Sequence, residues 1–150
     1  MSAAIVAAAA ALAGVLVQAL IGDRRVRAER RRAEFVAAVR GVLRAYVRFR
    51  GRQYMKIRAR RLGRDDTDES LAARYAARDA LTEAIDYLYT ATADQRLLAA
   101  AEEARELVVA LGDAASEPGA VDEDAVAEIG RRARESHSAL RQMARRALYG

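Results

Sequence analysis

The amino-acid sequence predicts an all-α protein: an N-terminal single transmembrane helix followed by an antiparallel three- to four-helix bundle or a long coiled-coil hairpin. Three observations predict it. Of the 150 residues 37 are Ala and one is Pro, against five Ile and two Phe, a composition that favours helix over sheet. Beyond residue 34, apolar side chains recur at spacings of three and four, the period of a helix with one buried stripe. And residues 1–22 carry no charged side chain at all.

Charge divides the rest of the chain. Residues 23–62 hold 15 of the 26 basic side chains and only Asp23, Glu29 and Glu34 as acids, a net of +12. Residues 63–150 carry a net of −7. A neutral anchor (1–22), a basic juxtamembrane helix (23–62) and an acidic helical remainder (63–150) are therefore expected in sequence, the last two forming one bundle. The absence of Cys excludes disulfides, thiolate metal sites and Cys nucleophiles, and the absence of Asn excludes N-glycosylation. The excess of Ala and Arg over Lys and Asn points to a high-GC genome.

In the first element, residues 3–22 have Gln18 as their only polar side chain. At about 1.5 Å per residue, 20 helical residues span about 30 Å, the hydrocarbon thickness of a bilayer. Ile5, Val6, Leu12, Val15, Leu16, Val17, Leu20 and Ile21 each favour insertion by roughly 0.3 to 0.6 kcal/mol. A cleavable signal peptide and a buried Ala-rich core helix are the competing readings. Nothing basic precedes residue 24, which weighs against the signal peptide, although Ala11-Leu12-Ala13 has the small-x-small shape of a cleavage site. Arg24, Arg25, Arg27, Arg30, Arg31 and Arg32 follow at once, positioned to meet anionic lipid head groups. By the positive-inside rule they place the C-terminal part in the cytoplasm, giving a single-pass protein of the cell membrane.

The second element is the basic helix. Phe35, Val36, Val39, Val42, Leu43, Tyr46, Val47, Tyr54, Met55 and Ile57 mark its stripe. Arg40, Arg44, Arg48, Arg52, Lys56 and Arg60 fall every four residues. Four residues turn a helix by about 400°, so this row drifts about 40° per step and winds around the helix, which argues against a single flat DNA-reading face. These six are the candidate contacts to an anionic partner: the acidic third section of the same chain, another protein, or nucleic-acid phosphates.

Gly63 then marks a helix stop, and Asp66 with Glu69 three residues on has the form of a capping box. Leu71, Tyr75, Leu81, Ile85 and Leu88 indicate a helix to about Thr92, and Asp94 is a candidate N-cap for the next one. Leu97, Ala101, Ala104, Val108 and Leu111 form a heptad seam ending at Gly112. Whether 68–111 is one helix or two is left open, since an unbroken run would match the basic helix in a long hairpin. Glu117-Pro118-Gly119 marks a loop, Asp122 opens the last helix, and Val126, Ile129, Ala133, Ser136, Leu140, Met143 and Ala147 form its seam.

Reacting groups are scarce. There is no Gly-rich phosphate loop and no paired His, and the one His, His137, lacks the Glu-x-x-His spacing of di-iron bundles. Tyr46, Tyr54, Tyr75 and Tyr89 fall on helical stripes and read as the rim of a core. No cofactor, no metal and no enzymatic activity are expected.

The layout of an uncharged N-terminal stretch and an Arg-rich helix, with the tracts Arg78-Asp79-Ala80-Leu81-Thr82-Glu83-Ala84-Ile85 and Arg132-Ala133-Arg134-Glu135-Ser136-His137-Ser138-Ala139-Leu140-Arg141, resembles the KilB-like small membrane proteins of actinobacteria. The resemblance implies a role in the transfer or spread of Streptomyces conjugative plasmids and brings no catalytic residue with it. The expected function is a membrane-anchored helical interaction or scaffold protein facing the cytoplasm, with a protein partner or self-association. A membrane-docked nucleic-acid-binding protein using the basic helix is the alternative. A secreted soluble helical protein after signal cleavage is the second.

Overall fold

The structure, a computed structural model, describes the backbone of residues 2–149 and the side chains from residue 22 to 149. Four helices make up the fold: α1 (Ser2–Arg61), α2 (Asp68–Ala91), α3 (Gln95–Asp113) and α4 (Glu123–Tyr149). No strand occurs among the described residues. The chain divides into two units, Met1–Glu34 and Phe35–Gly150. In the first, every described side chain is exposed, and Arg27 pairs with Asp23 one turn earlier.

The expected membrane placement is corrected here. Among the described residues no helix is long and apolar enough to cross a membrane, which overturns the assignment as a single-pass membrane protein. The physical reason is charge density: from Asp23 onwards, every stretch of 18 helical residues carries five or more charged side chains. Each would cost about 2 kcal/mol or more at the centre of a bilayer. The side chains expected to form the span, Ile5, Val6, Leu12, Val15, Leu16, Val17, Leu20 and Ile21, lie outside the described residues.

The second unit is an up-down-up-down four-helix bundle. Helix α1 ends where Gly63 takes φ 65°. The Gly63 N–H bonds to the Arg60 carbonyl at 2.9 Å and the Arg64 N–H to the Ala59 carbonyl at 3.0 Å, the paired bonds of a Schellman stop. The N-cap of α2 is Thr67, whose hydroxyl accepts from the Ser70 N–H at 3.1 Å, and not Asp66 as the capping-box pattern suggests. Asp66 is drawn away by two arginines, as described below.

The long-hairpin alternative is also corrected. Residues 92–94 interrupt the helix: Thr92 turns extended, and the Asp94 carboxylate caps α3 by accepting from the Arg96 and Leu97 N–H groups at 3.0 and 3.3 Å. Asp122 caps the start of α4 through the Ala125 N–H at 2.9 Å.

Helix α3 buries the whole stripe its period predicts, and the other three bury part of theirs. On α3 all five seam residues, Leu97, Ala101, Ala104, Val108 and Leu111, are buried. On α2 they are Leu81, Ile85 and Leu88, joined by Ala77, while Tyr75 and Tyr89 are exposed. On α4 they are Val126, Ala133 and Leu140, joined by Gly130 and Ala144, while Ala147 is exposed. On α1, Val39, Val42, Tyr46 and Ile57 are buried, with Ala38, Ala45 and Phe49 beside them. Val47 and Met55, expected on this stripe, face solvent. The main core joins all four helices, and a smaller one gathers Ile57, Leu111, Ala115 and Val126 at the end where α1 stops. There Gly119, at φ 76°, donates its N–H to the Arg60 carbonyl at 2.8 Å and ties the α3–α4 loop to α1.

Candidate functional site

The four-residue row of cations on α1 is sorted by helix geometry into two groups. At about 100° per residue, Arg40, Arg44, Val47, Arg48, Gly51 and Met55 fall within about 100° of arc, opposite the buried stripe. All six are exposed, and Val47 and Met55 stand 48% and 59% open among the arginines. Arg52 flanks this face and is exposed as well. Among the described residues, Arg40, Arg44, Arg48 and Arg52 form no ion pair.

By Lys56 and Arg60 the drift of the row has carried it to the interior. Lys56 is half-buried and donates from Nζ to the Gly112 carbonyl of α3 at 2.7 Å. Burial holds its pKa below the usual lysine value, and the nearby Arg74 and Arg60 push it the same way. Arg60 is only 6% exposed. Its Nη1 donates to the Arg64 carbonyl and to Asp65 Oδ1, and its Nη2 to Asp66 Oδ2, each at 2.9 Å. Asp66 also receives a two-pronged bond from Arg74, at 2.7 and 2.9 Å. These bonds, Arg74 first, hold the Asp66 carboxyl below its usual pKa. Arg61 completes the set with two bonds to Glu123 of α4, at 2.7 and 2.5 Å.

The basic row therefore divides into an inner part, bonded within the fold, and an outer part that forms no ion pair among the described residues. The six basic residues Arg24, Arg25, Arg27, Arg30, Arg31 and Arg32 belong to the first unit and are exposed.

His137 is built into the packing. Its ring stacks on Tyr46 with centroids 4.9 Å apart and planes 10° from parallel. The Tyr46 hydroxyl donates to the Ala133 carbonyl, and the Arg50 guanidinium lies 5.4 Å from the centre of the Tyr46 ring. Burial, then Arg50 and Arg141, hold the His137 pKa below its usual value. No group of three or more metal-ligating side chains occurs among the described residues.

Several residues the sequence does not single out line a hollow between α1, α2 and α3: Gln53, Arg74, Arg78 and Asp113, beside Lys56 and Phe49. The sequence signal that marks this place is Gln53, a polar residue at a stripe position of α1.

No curated protein and no solved structure matches the chain. A family model described as KilB plasmid transfer protein matches residues 36–148, nearly the whole of the four-helix unit that begins at Phe35. The match covers about three-quarters of the sequence, and the chain belongs to the KilB plasmid transfer protein family.

Proposed function

We propose that this chain serves plasmid transfer as a non-catalytic helical interaction protein, docking an acidic partner protein on the exposed face of α1. One observation carries the proposal: among the described residues Arg40, Arg44, Arg48 and Arg52 have no ion pair, whereas Lys56, Arg60 and Arg61 are engaged by the fold. Four unpaired guanidinium groups raise the local positive potential and steer an anionic partner towards this face. The face is also mixed in character. Val47 and Met55 lie exposed among the arginines, and Arg and Met are enriched where proteins meet.

Nucleic acid is the second reading, favoured by the same charges. The winding of the row works against it: Arg40 to Arg52 turn through about 120°, so a straight phosphate backbone meets only part of the set.

The experiment is a conjugation assay with Arg40→Gln, Arg44→Gln and Arg48→Gln combined, in a strain whose plasmid depends on this gene. The expected result is a fall in transfer of about tenfold or more, as loss of about 1.4 kcal/mol of docking energy implies, with an unchanged thermal melt. Unchanged transfer by the folded triple variant overturns the proposal. Tight duplex DNA binding by the wild-type chain, weakening steeply with salt and lost in the triple variant, replaces it with the nucleic-acid reading.

A further inference from the structure

At the junction of α1, α2 and α3 a hollow of about 190 Å³ is walled by Phe49, Gln53, Lys56, Arg74, Arg78 and Asp113. Gln53 is 6% exposed, and its Oε1 has no hydrogen-bond partner among the described residues. A buried carbonyl oxygen without a donor costs about 1 to 3 kcal/mol, so native folds seldom keep one without a use. Its amide lies flat against α3 because Gly112 has no side chain: a Cβ there would stand 2.6 Å from Gln53 Cδ.

Three cations share the hollow with that oxygen. Arg74 is held in place by its two bonds to Asp66, and Lys56 by its bond to the Gly112 carbonyl. Arg78 forms no ion pair among the described residues. Asp113 is exposed at the rim, and Asp66 is already shared between Arg60 and Arg74, so the interior is left cationic. The charges surrounding Lys56 give the same sign, since Arg74 and Arg60 outweigh Asp113 and Asp66 in their effect on it.

A second hollow of about 330 Å³ adjoins the first between α2 and α3, sharing Arg78, Val109 and Asp113 with it. Its further walls include the donor Arg105, the acceptor Glu106 and Thr82, whose hydroxyl can do either. Together the two reach the size of pockets that take small-molecule ligands, about 300 to 1,000 Å³.

We propose that this groove binds a phosphorylated small molecule of nucleotide size, its phosphomonoester held by Lys56, Arg74 and Arg78 in the inner hollow. The uncharged part of the ligand lies in the outer hollow against Thr82 and Glu106. This binding is independent of the α1 docking face, which lies on the opposite side of the helix from Gln53.

Calorimetric titration of the full chain tests it, with adenosine monophosphate, adenosine and inorganic phosphate as probes. Adenosine monophosphate is expected to bind with Kd of about 1 mM or below, and phosphate or adenosine about tenfold more weakly or not at all. Arg78→Gln, at an exposed position without an ion pair among the described residues, is expected to weaken adenosine monophosphate about tenfold, and Arg44→Gln to leave it unchanged. No saturable binding of adenosine monophosphate up to about 10 mM overturns the proposal. So does adenosine or phosphate binding as tightly as the nucleotide, or an unaltered affinity in folded Arg78→Gln.

Discussion

Arg60 and Asp66 face each other across the turn that joins α1 to α2, with Arg60 Nη2 donating to Asp66 Oδ2 at 2.9 Å and both side chains largely buried. Asp66 is at the same time gripped by Arg74, so one carboxylate serves two guanidinium groups from successive helices. Removing it strands both.

Asp66→Ala is therefore expected to destabilise the fold by roughly 2 to 3 kcal/mol, because an uncompensated buried charge costs more than the pair contributes. Asp65→Ala, which removes a carboxylate that is mostly in solvent, is expected to cost about 0.5 kcal/mol or less. Urea denaturation of the two variants makes the comparison. Equal losses would show that the turn is held by something other than the Asp66 junction.

The same carboxylate sets an acid limit. The bonds from Arg74 lower its pKa in the folded chain, so its contribution is fully present above the unfolded value, near 3.8, and is lost as pH falls through the lower folded value. Stability measured in urea should decline below about pH 4, and less steeply in Asp66→Asn than in the wild type. Parallel pH profiles for the two proteins would assign the decline to other groups.

His137 acts in a different window. Its folded pKa lies below the usual 6.5, first through burial and then through Arg50 and Arg141. The unfolded chain thus takes up the proton first, and stability is lost as pH falls from about 6.5 through the folded value. Arg50→Ala should raise the His137 pKa towards its usual value, read directly from the ring protons by NMR. A His137 that titrates identically in both proteins would remove Arg50 from the account.

Two glycines on neighbouring helices should respond in opposite directions to the same substitution. At Gly51 nothing lies within 4 Å of an added Cβ, and Gly51→Ala should stabilise by about 0.5 to 1 kcal/mol through helix propensity. At Gly112 the added Cβ meets the Gln53 amide, and overpacking of about 1 to 3 kcal/mol should outweigh that gain. Gln53→Ala made together with Gly112→Ala should recover most of the loss. A strictly additive double mutant would mean that the two residues do not press on each other.

Much of this architecture follows from periodicity alone. The heptad on α3 was legible because Leu97, Ala101, Ala104, Val108 and Leu111 repeat at the spacing that keeps side chains on one face, and all five are buried. Asp94 and Asp122 were legible as caps because a short carboxylate beside an apolar run satisfies the N–H groups that a helix start leaves unpaired. Asp66 was misleading for a physical reason: the cap pattern weighs only the bonds within one helical turn, and two arginines, six residues before and eight after, bind the carboxylate more strongly than one backbone N–H does. Val47 and Met55 likewise fit the spacing of the α1 stripe but fall on its solvent side, since an apolar period of mixed threes and fours does not by itself say which arc a neighbouring helix covers.

What the sequence by itself determined is the helical class, the α1 stop at Gly63, the Asp122 cap, and the fact that a cation every fourth residue must wind around α1. Each depends on neighbours within a few residues, where geometry per residue is constant. Only the tertiary structure decided where along that winding the neighbouring helices close over the row. Arg40 to Arg52 remain outside and unpaired, while Lys56 and Arg60 are drawn into contact with Gly112 and Asp66. The same packing brings Gln53 of α1 against Gly112 of α3, and encloses its amide beside three cations. No spacing within either helix contains that meeting, because it depends on how two stripes far apart in the chain are laid together.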